Sequence, residues 1–420
     1  MRFNFIQHLK PISISLSPNT EKDDTVLAFK LILKPWIWKK GDAIEKFEKK
    51  FAEFSGLKHA VSFNSGRTAL MAILESLELE KGSEVLLQAF TCNAAVNPII
   101  WSELEPAYVD CNEETFNIDT DDLKKKIDEK SKVVIAQHTF GHPANLEELE
   151  KICKENNLLL IEDCAHSLGA EYAGRKVGTF GIAAFFSFSR DKIISSVYGG
   201  MTATNDEAIY EKIRRYREKI NYPSNFWVLQ QLLHPVLMNY IVLPSYGIFG
   251  KYLLPFLQWI HLLSKAVHWK EKRAMKPSYF PKKLPNALAI LALKQMEKIE
   301  RFNEHRRNIA ALYQKELSSS EFSLPFEKTP AKSAFLRFTV KHPKAHSIIR
   351  KAWSKNILIG DWYKSPIAPE DTNLAKMRYK IGSCPKAEFL AKTTFNLPTG
   401  PNISKENAEK IIEFLKTYGN

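Results

Sequence analysis

Polar side chains follow two apolar runs in the middle of the chain. One run ends at Asp163 and a later one at Ser187, and Lys192 comes after a short turn. Because ligands of open α/β sheets bind at the carboxyl ends of the strands, we expect these three side chains at one edge of a sheet. A carboxylate, a hydroxyl and an amine at such an edge can pair with a ring cation, hold an anion and attack a carbonyl carbon.

A candidate anion site lies upstream, where an apolar run gives way to a helical pattern. Ser65 and Gly66 come directly after the run, and Arg67 and Thr68 open the helix. The first N–H groups of a helix and its positive dipole end bind anions. We therefore expect Ser65, the backbone of residues 66–68 and the Thr68 hydroxyl to hold a phosphate.

Together these parts match the requirements of pyridoxal phosphate (PLP). PLP needs a lysine for a Schiff base, a carboxylate for its protonated pyridine nitrogen, and donors for its phosphate. Lys192 suits the first role, Asp163 the second, and Ser187 with the upstream loop the third. Each feature alone is more often structural, since a strand ending in Asp is usually a cap or an ion-pair partner. The prediction therefore depends on the order in which these features follow one another along the chain.

Apolar runs alternate with helical patterns over the first 210 residues. The runs lie at 59–63, 84–88, 107–110, 132–137, 158–163, 183–187 and 201–204. Helical patterns at 68–77 and 145–156 lie between some of them. Such alternation, with strands that are almost continuously apolar, predicts a mostly parallel sheet covered on both faces. We expect a large three-layer α/β/α domain with a seven-stranded sheet.

The remaining segments suggest how the chain divides. We interpret residues 1–40 as an irregular extension, 41–283 as the large domain, and 284–420 as a linking long helix with a small C-terminal α/β domain. The helix is expected over 284–317. The small domain is expected to contain a strand at 335–340 and helices at 346–355 and 404–418, the last capped by Ser404.

Composition and charge disfavour several classes of protein. The 420 residues are 45% hydrophobic and 25% charged, as in ordinary globular proteins. The net charge of +13 is spread over pairs and triplets typical of solvated helices, and with no nucleic-acid motif we expect no such partner. Five scattered cysteines without a CxxC pair predict no disulfides, no structural metal and a reducing, cytoplasmic location. The N-terminal pattern is not that of a signal peptide.

An apolar segment at 220–263 stands apart from this pattern. Residues 220–250 contain no Asp, Glu, Lys or Arg, and a second apolar stretch follows Lys251. A simple transmembrane span is disfavoured by interruptions such as His234 and Pro235. Extra core or a dimer lid, and a monotopic hairpin on the inner membrane face, both stay open. Two features support the hypothesis of a membrane-facing hairpin. Its Trp, Tyr and Phe residues suit the lipid–water boundary, and the flanking basic residues suit anionic lipid.

Six motifs follow one another along the chain, at residues 41–56, 64–70, 82–85, 134–144, 162–170 and 186–200. They correspond, in that order, to the patterns GxxVxxFExxFAxxxG, N-S-G-T-x-A-L, GDEV, V-x-V-H-x-x-G-x-P-A, E-D-x-A-x-x-x-G-A and F-S-F-x-x-x-K-x-x-x-x-G-x-G-G. This set resembles the motifs of the DegT-type (DegT/DnrJ/StrS) sugar aminotransferases, which are PLP enzymes with the aspartate-aminotransferase fold, fold type I. The resemblance covers about residues 40–210, resumes at 284–317 and ends at Asn396-Leu397-Pro398.

The resemblance implies a role for each matching position. Lys192 would carry the cofactor covalently and shuttle protons, and Asp163 would pair with the pyridine nitrogen. His166 stands where the family has Gln or His beside the ring hydroxyl. Ser187 and the Gly66-Arg67-Thr68 segment would bind the phosphate.

Three positions depart from the family pattern. The aromatic residue that stacks on the ring is replaced by Cys92, so that either Cys92 packs on the ring or Phe90 substitutes. The G-x-N-x-R motif that helps to complete the partner subunit's site is missing before residue 284, and Asn286 is only a weak substitute. The glutamate before the Gly-Gly pair is Tyr198.

The resemblance implies a homodimeric PLP aminotransferase that moves an amino group from glutamate to a keto-sugar on a nucleotide or lipid carrier. Such a reaction serves amino-sugar or surface-polysaccharide biosynthesis. Relatives that act as dehydratases carry histidine in the lysine position, so Lys192 favours transamination. A PLP-dependent dehydratase or lyase, and a degenerate membrane-associated scaffold, are the alternatives.

Overall fold

A seven-stranded sheet forms the centre of the computed structural model, which describes residues 10–325 and 330–418. Its strands are β1 His59–Phe63, β2 Glu84–Gln88, β3 Glu105–Val109, β4 Ser131–Gln137, β5 Leu159–Asp163, β6 Ala183–Ser187 and β7 Gly200–Thr204. The spatial order is β1-β7-β6-β5-β4-β2-β3, and only β7 runs antiparallel to its neighbours. The predicted seven-stranded, mostly parallel sheet is confirmed.

Helices cover both faces of this sheet. In chain order they are α1 Lys22–Ile32, α2 Ala43–Ser55, α3 Gly66–Ser76, α4 Asn93–Trp101, α5 Thr120–Lys126, α6 Leu146–Glu155, α7 Glu207–Lys219, α8 Asn225–Leu237, α9 Lys251–Trp259, α10 Asn286–Met296, α11 Ile299–Leu317, α12 Ala345–Ser354, α13 Pro385–Thr393 and α14 Lys405–Lys416. Val134 and Ala136 of β4 pack in one buried cluster with α2, α6 and α10, whereas Val133 and Ile135 pack in another with α3, α4 and α7. This alternation follows from the period of two in a strand.

Helix α2 holds the carboxyl end of β6 in place. Phe47 and Phe51 are spaced to lie on one face of the helix, and both are fully buried. The Phe51 ring meets Phe186 edge-on at 4.8 Å, and the Phe47 ring meets Phe188 at 5.1 Å. Because these rings flank Ser187, the packing of α2 sets the position of that hydroxyl.

The C-terminal part of the chain forms a second core. Strands β8 Arg337–Lys341 and β9 Thr394–Pro398 pair antiparallel, and α11, α12 and α14 pack with them in a separate buried cluster. Two-residue strands connect this part to the rest, since Ile367–Ala368 pairs with Thr91–Cys92 and Ile357–Leu358 pairs with Ile12–Ser13. The domain limits at residues 40 and 283 stay a prediction.

Two expected elements differ in the structure. The single helix expected over 284–317 is wrong, because the chain breaks into α10 and α11 just before residue 299. At the break the Lys298 amine donates to Asp23 Oδ1 at 2.6 Å and to Asp24 Oδ2 at 2.9 Å. The extension at 1–40 was expected to be irregular, but within its described residues it contains α1, whose acidic first turn suits a helix N-terminus.

The apolar segment folds as a bent pair of helical stretches, Asn225–Val242 and Tyr246–Trp259, which we call the apolar hairpin. Helix α8 continues into a π-helical turn at Met238–Val242, and a second π-helical turn at Tyr246–Gly250 leads into α9. In the part of the chain that the structure describes, no single helix is both long and apolar enough to cross a membrane. Asn225–Val242 and Tyr246–Trp259 reach that length and hydropathy only together, with a bend of 105° between them.

Truncating Phe47 tests how much the packing of α2 contributes to stability. Phe47→Ala is expected to lower the free energy of unfolding by about 3–5 kcal/mol, because it removes a buried ring and leaves a cavity. Urea unfolding of the apoprotein measures this. Phe389→Ala, at a ring that is 48% exposed, is the matched control and should change stability by less than about 1 kcal/mol. Equal losses in the two variants would contradict the role given to α2.

Candidate active site

The carboxyl ends of three parallel strands open into one cavity of about 290 Å³. β4 ends at Gln137, β5 at Asp163 and β6 at Ser187. The register places Asp163 opposite both Gln137 and Phe185, so these strand ends lie side by side. Lys192, in the loop after β6, also lines the cavity. The parallel sheet thus brings together the carboxylate, hydroxyl and amine that are far apart in the sequence.

The half-buried Lys192 and the buried Asp163 line the same cavity and carry opposite charges. Burial lowers the pKa of the Lys192 amine and raises the pKa of the Asp163 carboxyl, and the charge of each group partly opposes the shift of the other. Asp163 Oδ1 accepts a hydrogen bond from the Ala165 N–H at 3.0 Å, and the Lys192 amine lies 5.0 Å from the centre of the Trp362 ring. An amine with a depressed pKa is more readily neutral and hence nucleophilic.

His166 is held as a neutral imidazole beside this pair. Burial, and next the charge of Lys192, lower its pKa well below the usual range. Its Nδ1 accepts a hydrogen bond from the Phe140 N–H at 3.2 Å, and its ring stacks with Phe140 at 5.9 Å and with Trp362 at 5.5 Å. A neutral ring that accepts at Nδ1 carries its proton on Nε2, so His166 can donate one hydrogen bond to a ligand.

The loop before α3 presents backbone donors to the cavity. The Ser65 hydroxyl caps the helix by accepting from the Thr68 N–H at 3.1 Å, and the Thr68 hydroxyl donates to Asn64 at 2.8 Å. The side chains of Ser65 and Thr68 therefore serve the helix cap, whereas Gly66 and Arg67 line the cavity. A Cβ built on Gly66 would lie 3.1 Å from the Cβ of Ser187, a tight contact that glycine avoids.

Arg67 extends across the cavity wall rather than into solvent. Its guanidinium forms a buried ion pair with Glu271 and donates to the Ala266 carbonyl at 3.2 Å. Both partners come from the segment that follows the apolar hairpin. Arg67 therefore joins the predicted phosphate loop to that segment.

The structure distinguishes the two candidates for the ring-stacking position. Cys92 lines the cavity, and burial raises the pKa of its thiol. Phe90 lies outside the lining and packs against Phe116, Phe140 and Tyr363 at ring separations of 6.1, 6.1 and 5.3 Å. Of the predicted site residues, Ser65, Thr68 and Phe90 do not line the cavity. Those that share it are Gly66, Arg67, Cys92, Asp163, His166, Ser187 and Lys192.

The N-terminal segment supports the backbone around Lys192. The Asn19 side-chain amide donates to the carbonyls of Lys192 and Ile193, and Arg306 donates to Ile193 O at 3.2 Å and to the Asn19 side chain. Asn286, the weak substitute for a family residue, lies elsewhere and caps α2 by accepting from the Ala43 N–H at 3.1 Å. It contributes nothing to the cavity.

Sequence reasoning missed several residues of the cavity wall. Gln137 was detectable, because it ends a predicted strand as Asp163 does. Trp362 and Tyr363 reach the cavity from the C-terminal part, and no local pattern marks them. The N-terminal segment and the apolar hairpin contribute Ser15, Leu16, His234, Met238, Leu254 and Gln258.

Comparison with known proteins identifies the class. The model of the DegT/DnrJ/EryC1/StrS aminotransferase family matches residues 19–227 and 262–416, so the chain belongs to this family. It is a PLP-dependent aminotransferase with the fold of that class, and the predicted family, fold and cofactor are confirmed. The match breaks at residues 228–261, inside the apolar segment at 220–263.

Individual relatives span nearly the whole chain. GDP-perosamine synthase of Escherichia coli O157:H7 is 28% identical over 385 residues, which cover 91% of this chain and 92% of that protein. The spore coat polysaccharide biosynthesis protein SpsC of Bacillus subtilis is 25% identical over 440 residues, with 97% of each covered. The structure of PseC from Helicobacter pylori, an aminotransferase involved in the biosynthesis of pseudoaminic acid, superposes with a TM-score of 0.75 at 22% identity, covering 98% of this chain and 99% of PseC.

Replacing Lys192 tests the assignment of the covalent lysine. Borohydride treatment of the wild-type holoenzyme, followed by peptide mass mapping, is expected to place a pyridoxyl group on Lys192. Lys192→Ala should lose that label and lower the amino-transfer rate by at least about 10²–10⁴-fold, because it removes the group that moves the proton. Lys125→Ala, at an exposed lysine on α5, should keep both. A label on any other lysine would contradict the assignment.

Proposed function

We propose that this aminotransferase moves an amino group from glutamate to a keto-sugar on a nucleotide or lipid carrier, and that it acts as a homodimer. One observation carries the proposal: Lys192 and Asp163 face the same buried cavity in a member of an aminotransferase family. Relatives named for making perosamine, a dTDP-linked amino sugar and spore coat polysaccharide support a sugar acceptor.

The residues of the cavity suit the parts of this reaction. PLP bound here would supply an electron sink for charge that develops on the amino-bearing carbon. Asp163 would keep the proton on the pyridine nitrogen, and Lys192 would move the proton at the reacting carbon. His166 would donate from Nε2 to the ring oxygen. Ser187 and the N–H groups of Gly66 and Arg67 would hold the phosphate.

Amino transfer is tested with ¹⁵N-labelled glutamate and a panel of GDP- and dTDP-linked keto-sugars. The wild-type enzyme is expected to place ¹⁵N on a sugar carbon, and Lys192→Ala is expected to form no amino sugar. A product that has lost a hydroxyl group and contains no nitrogen would contradict transamination and support the dehydratase alternative. Sedimentation velocity of the same preparation tests the homodimer.

We also propose that the apolar hairpin rests on an anionic membrane surface. One side of the hairpin lines the cavity, and its other side exposes large apolar rings, among them Tyr252 at 68% and Trp259 at 74%. Lys251 adjoins this exposed surface, and further basic residues follow at Lys265 and Lys270. Aromatic rings favour the lipid–water boundary and cations favour anionic headgroups, so the two features support one partner. A second copy of the chain fits less well, since a two-fold contact at the hairpin would bring like charges together.

Vesicle flotation tests the membrane proposal. The wild-type enzyme is expected to float with vesicles that contain anionic lipid, and less with neutral vesicles. Tyr252→Glu combined with Trp259→Glu should abolish flotation, because charges at these positions cannot enter the boundary. Ile381→Glu, at a side chain that is 74% exposed outside the hairpin, should float as the wild type does. Loss of self-association in the double variant without any flotation of the wild type would point to a second copy instead.

A further inference from the structure

A second arginine lines the cavity and has unused donors. Arg190 lies between Ser187 and Lys192, and its Nη2 donates to the Ser264 hydroxyl, which in turn donates to Gln231 at 2.8 Å. Among the described residues, neither Nε nor Nη1 of Arg190 has a hydrogen-bond acceptor, and the Nε atom is buried. An arginine in this state can offer its guanidinium to a ligand with little rearrangement of the protein.

Among residues 10–325 and 330–418, no carboxylate forms an ion pair with Arg190, although the more distant charge of Asp191 attracts it. The neighbouring arginines do form ion pairs, Arg67 with Glu271 and Arg337 with Asp191, and Lys192 is attracted to both Asp191 and Asp163. Four cations therefore face three carboxylates. Because a partly buried charge without an ion pair is costly, the excess positive charge favours an anionic ligand in the cavity.

Other donors at the same wall have the chemistry of a phosphate site. The N–H groups of Gly66 and Arg67 find no acceptor in the described part of the chain, as is usual for the first residues of a helix. The hydroxyl of Ser187 lies against Gly66. A planar guanidinium together with backbone N–H groups and a hydroxyl can donate to all the oxygens of a phosphoryl group.

The segment that follows the hairpin holds both arginines. Ser264 accepts from Arg190, and Glu271 pairs with Arg67. The Tyr198 hydroxyl donates to the Lys265 carbonyl at 2.7 Å, and the Arg190 guanidinium lies 5.6 Å from the centre of the Tyr198 ring. The contacts that hold the two arginines therefore lie within one chain, and the G-x-N-x-R motif is missing from the sequence.

We infer that Arg190, supported by Arg67 and the segment at 264–271, binds the phosphoryl group of the cavity ligand, so that each chain supplies its own guanidinium to this end of the site. The inference rests on the proposed function only in placing PLP and a carrier-linked sugar in the cavity. Two sources share the chemistry: the phosphate of PLP and the diphosphate of a nucleotide-linked acceptor.

Titrations of the full-length apoenzyme with PLP and with pyridoxal, which lacks the phosphate, test the inference. Arg190→Gln is expected to weaken PLP binding by about 10- to 100-fold, the loss typical of a hydrogen bond to a charged group, and to leave pyridoxal binding unchanged. Arg350→Gln, at an exposed arginine on α12, is the control and should bind both ligands as the wild type does. Visible absorbance measures both titrations.

A second experiment tests whether Arg190 binds the diphosphate of the acceptor. If the diphosphate is the ligand, Arg190→Gln will keep its PLP affinity, and at saturating PLP its KM for the nucleotide-linked keto-sugar will rise about 10- to 100-fold without a matching fall in kcat. Arg190→Lys keeps the charge without the planar fork and should lie between the wild type and Arg190→Gln in whichever arm responds. It also serves as the test variant if Arg190→Gln does not fold.

An Arg190→Gln enzyme that matches the wild type in PLP affinity and in KM would overturn the inference. An equal loss of PLP and pyridoxal binding would also overturn it, since that result indicates general damage to the cavity. A wild-type enzyme that binds PLP but aminates no keto-sugar would contradict the proposed function. The inference that Arg190 binds the phosphate of PLP would still be tested by the PLP titrations.

Discussion

The position of the half-buried Lys192 beside the buried Asp163 in one cavity is the constraint on which the rest of this structure depends. Desolvation opposes both charges, and each is sustained partly by the other. The arrangement is stable only if the strands and loops around it are rigid. Parallel pairing fixes the end of β5 beside that of β6, the aromatic rings of α2 hold β6, and Asn19 holds the backbone at Lys192. Stability and chemistry therefore rest on the same contacts.

The apolar hairpin joins two properties that are usually separate. Its inner side lines the cavity through residues such as His234 and Met238, while its outer side exposes rings such as Trp259. The segment after it carries the partners of Arg67 and Arg190. The exposed outer surface is thus connected through this segment to the cavity wall that contains Arg67 and Arg190. The hairpin coincides with the break in the family match at residues 228–261, whereas the segment after it lies inside the match.

The pattern of apolar and polar residues predicted those elements whose structure depends on neighbouring residues in the sequence. All seven strands overlap the expected runs, because a buried parallel strand is apolar along its whole length. The expected helix over 284–317 failed because its apolar spacing continues through the break, and only the ion pairs of Lys298 with the acidic turn of α1 show where it ends. Cys92 and Phe90 could not be separated from the sequence, since both adjoin the same short strand and only packing decides which side chain faces the cavity.

The sequence by itself determined the class of protein and the sheet. It also determined the carboxylate, hydroxyl and amine at the edge of the sheet, because each of these features is encoded by a few consecutive residues. Only the tertiary structure decided what surrounds them. Trp362 and Tyr363 enter the cavity from the far end of the chain, and the hairpin closes over its wall. Whether an arginine of the cavity wall forms an ion pair likewise depends on residues distant in sequence. Arg67 pairs with Glu271, whereas Arg190 has no ion pair among the described residues and donates to Ser264. Contacts between distant segments depend on packing geometry, which residue spacing does not encode.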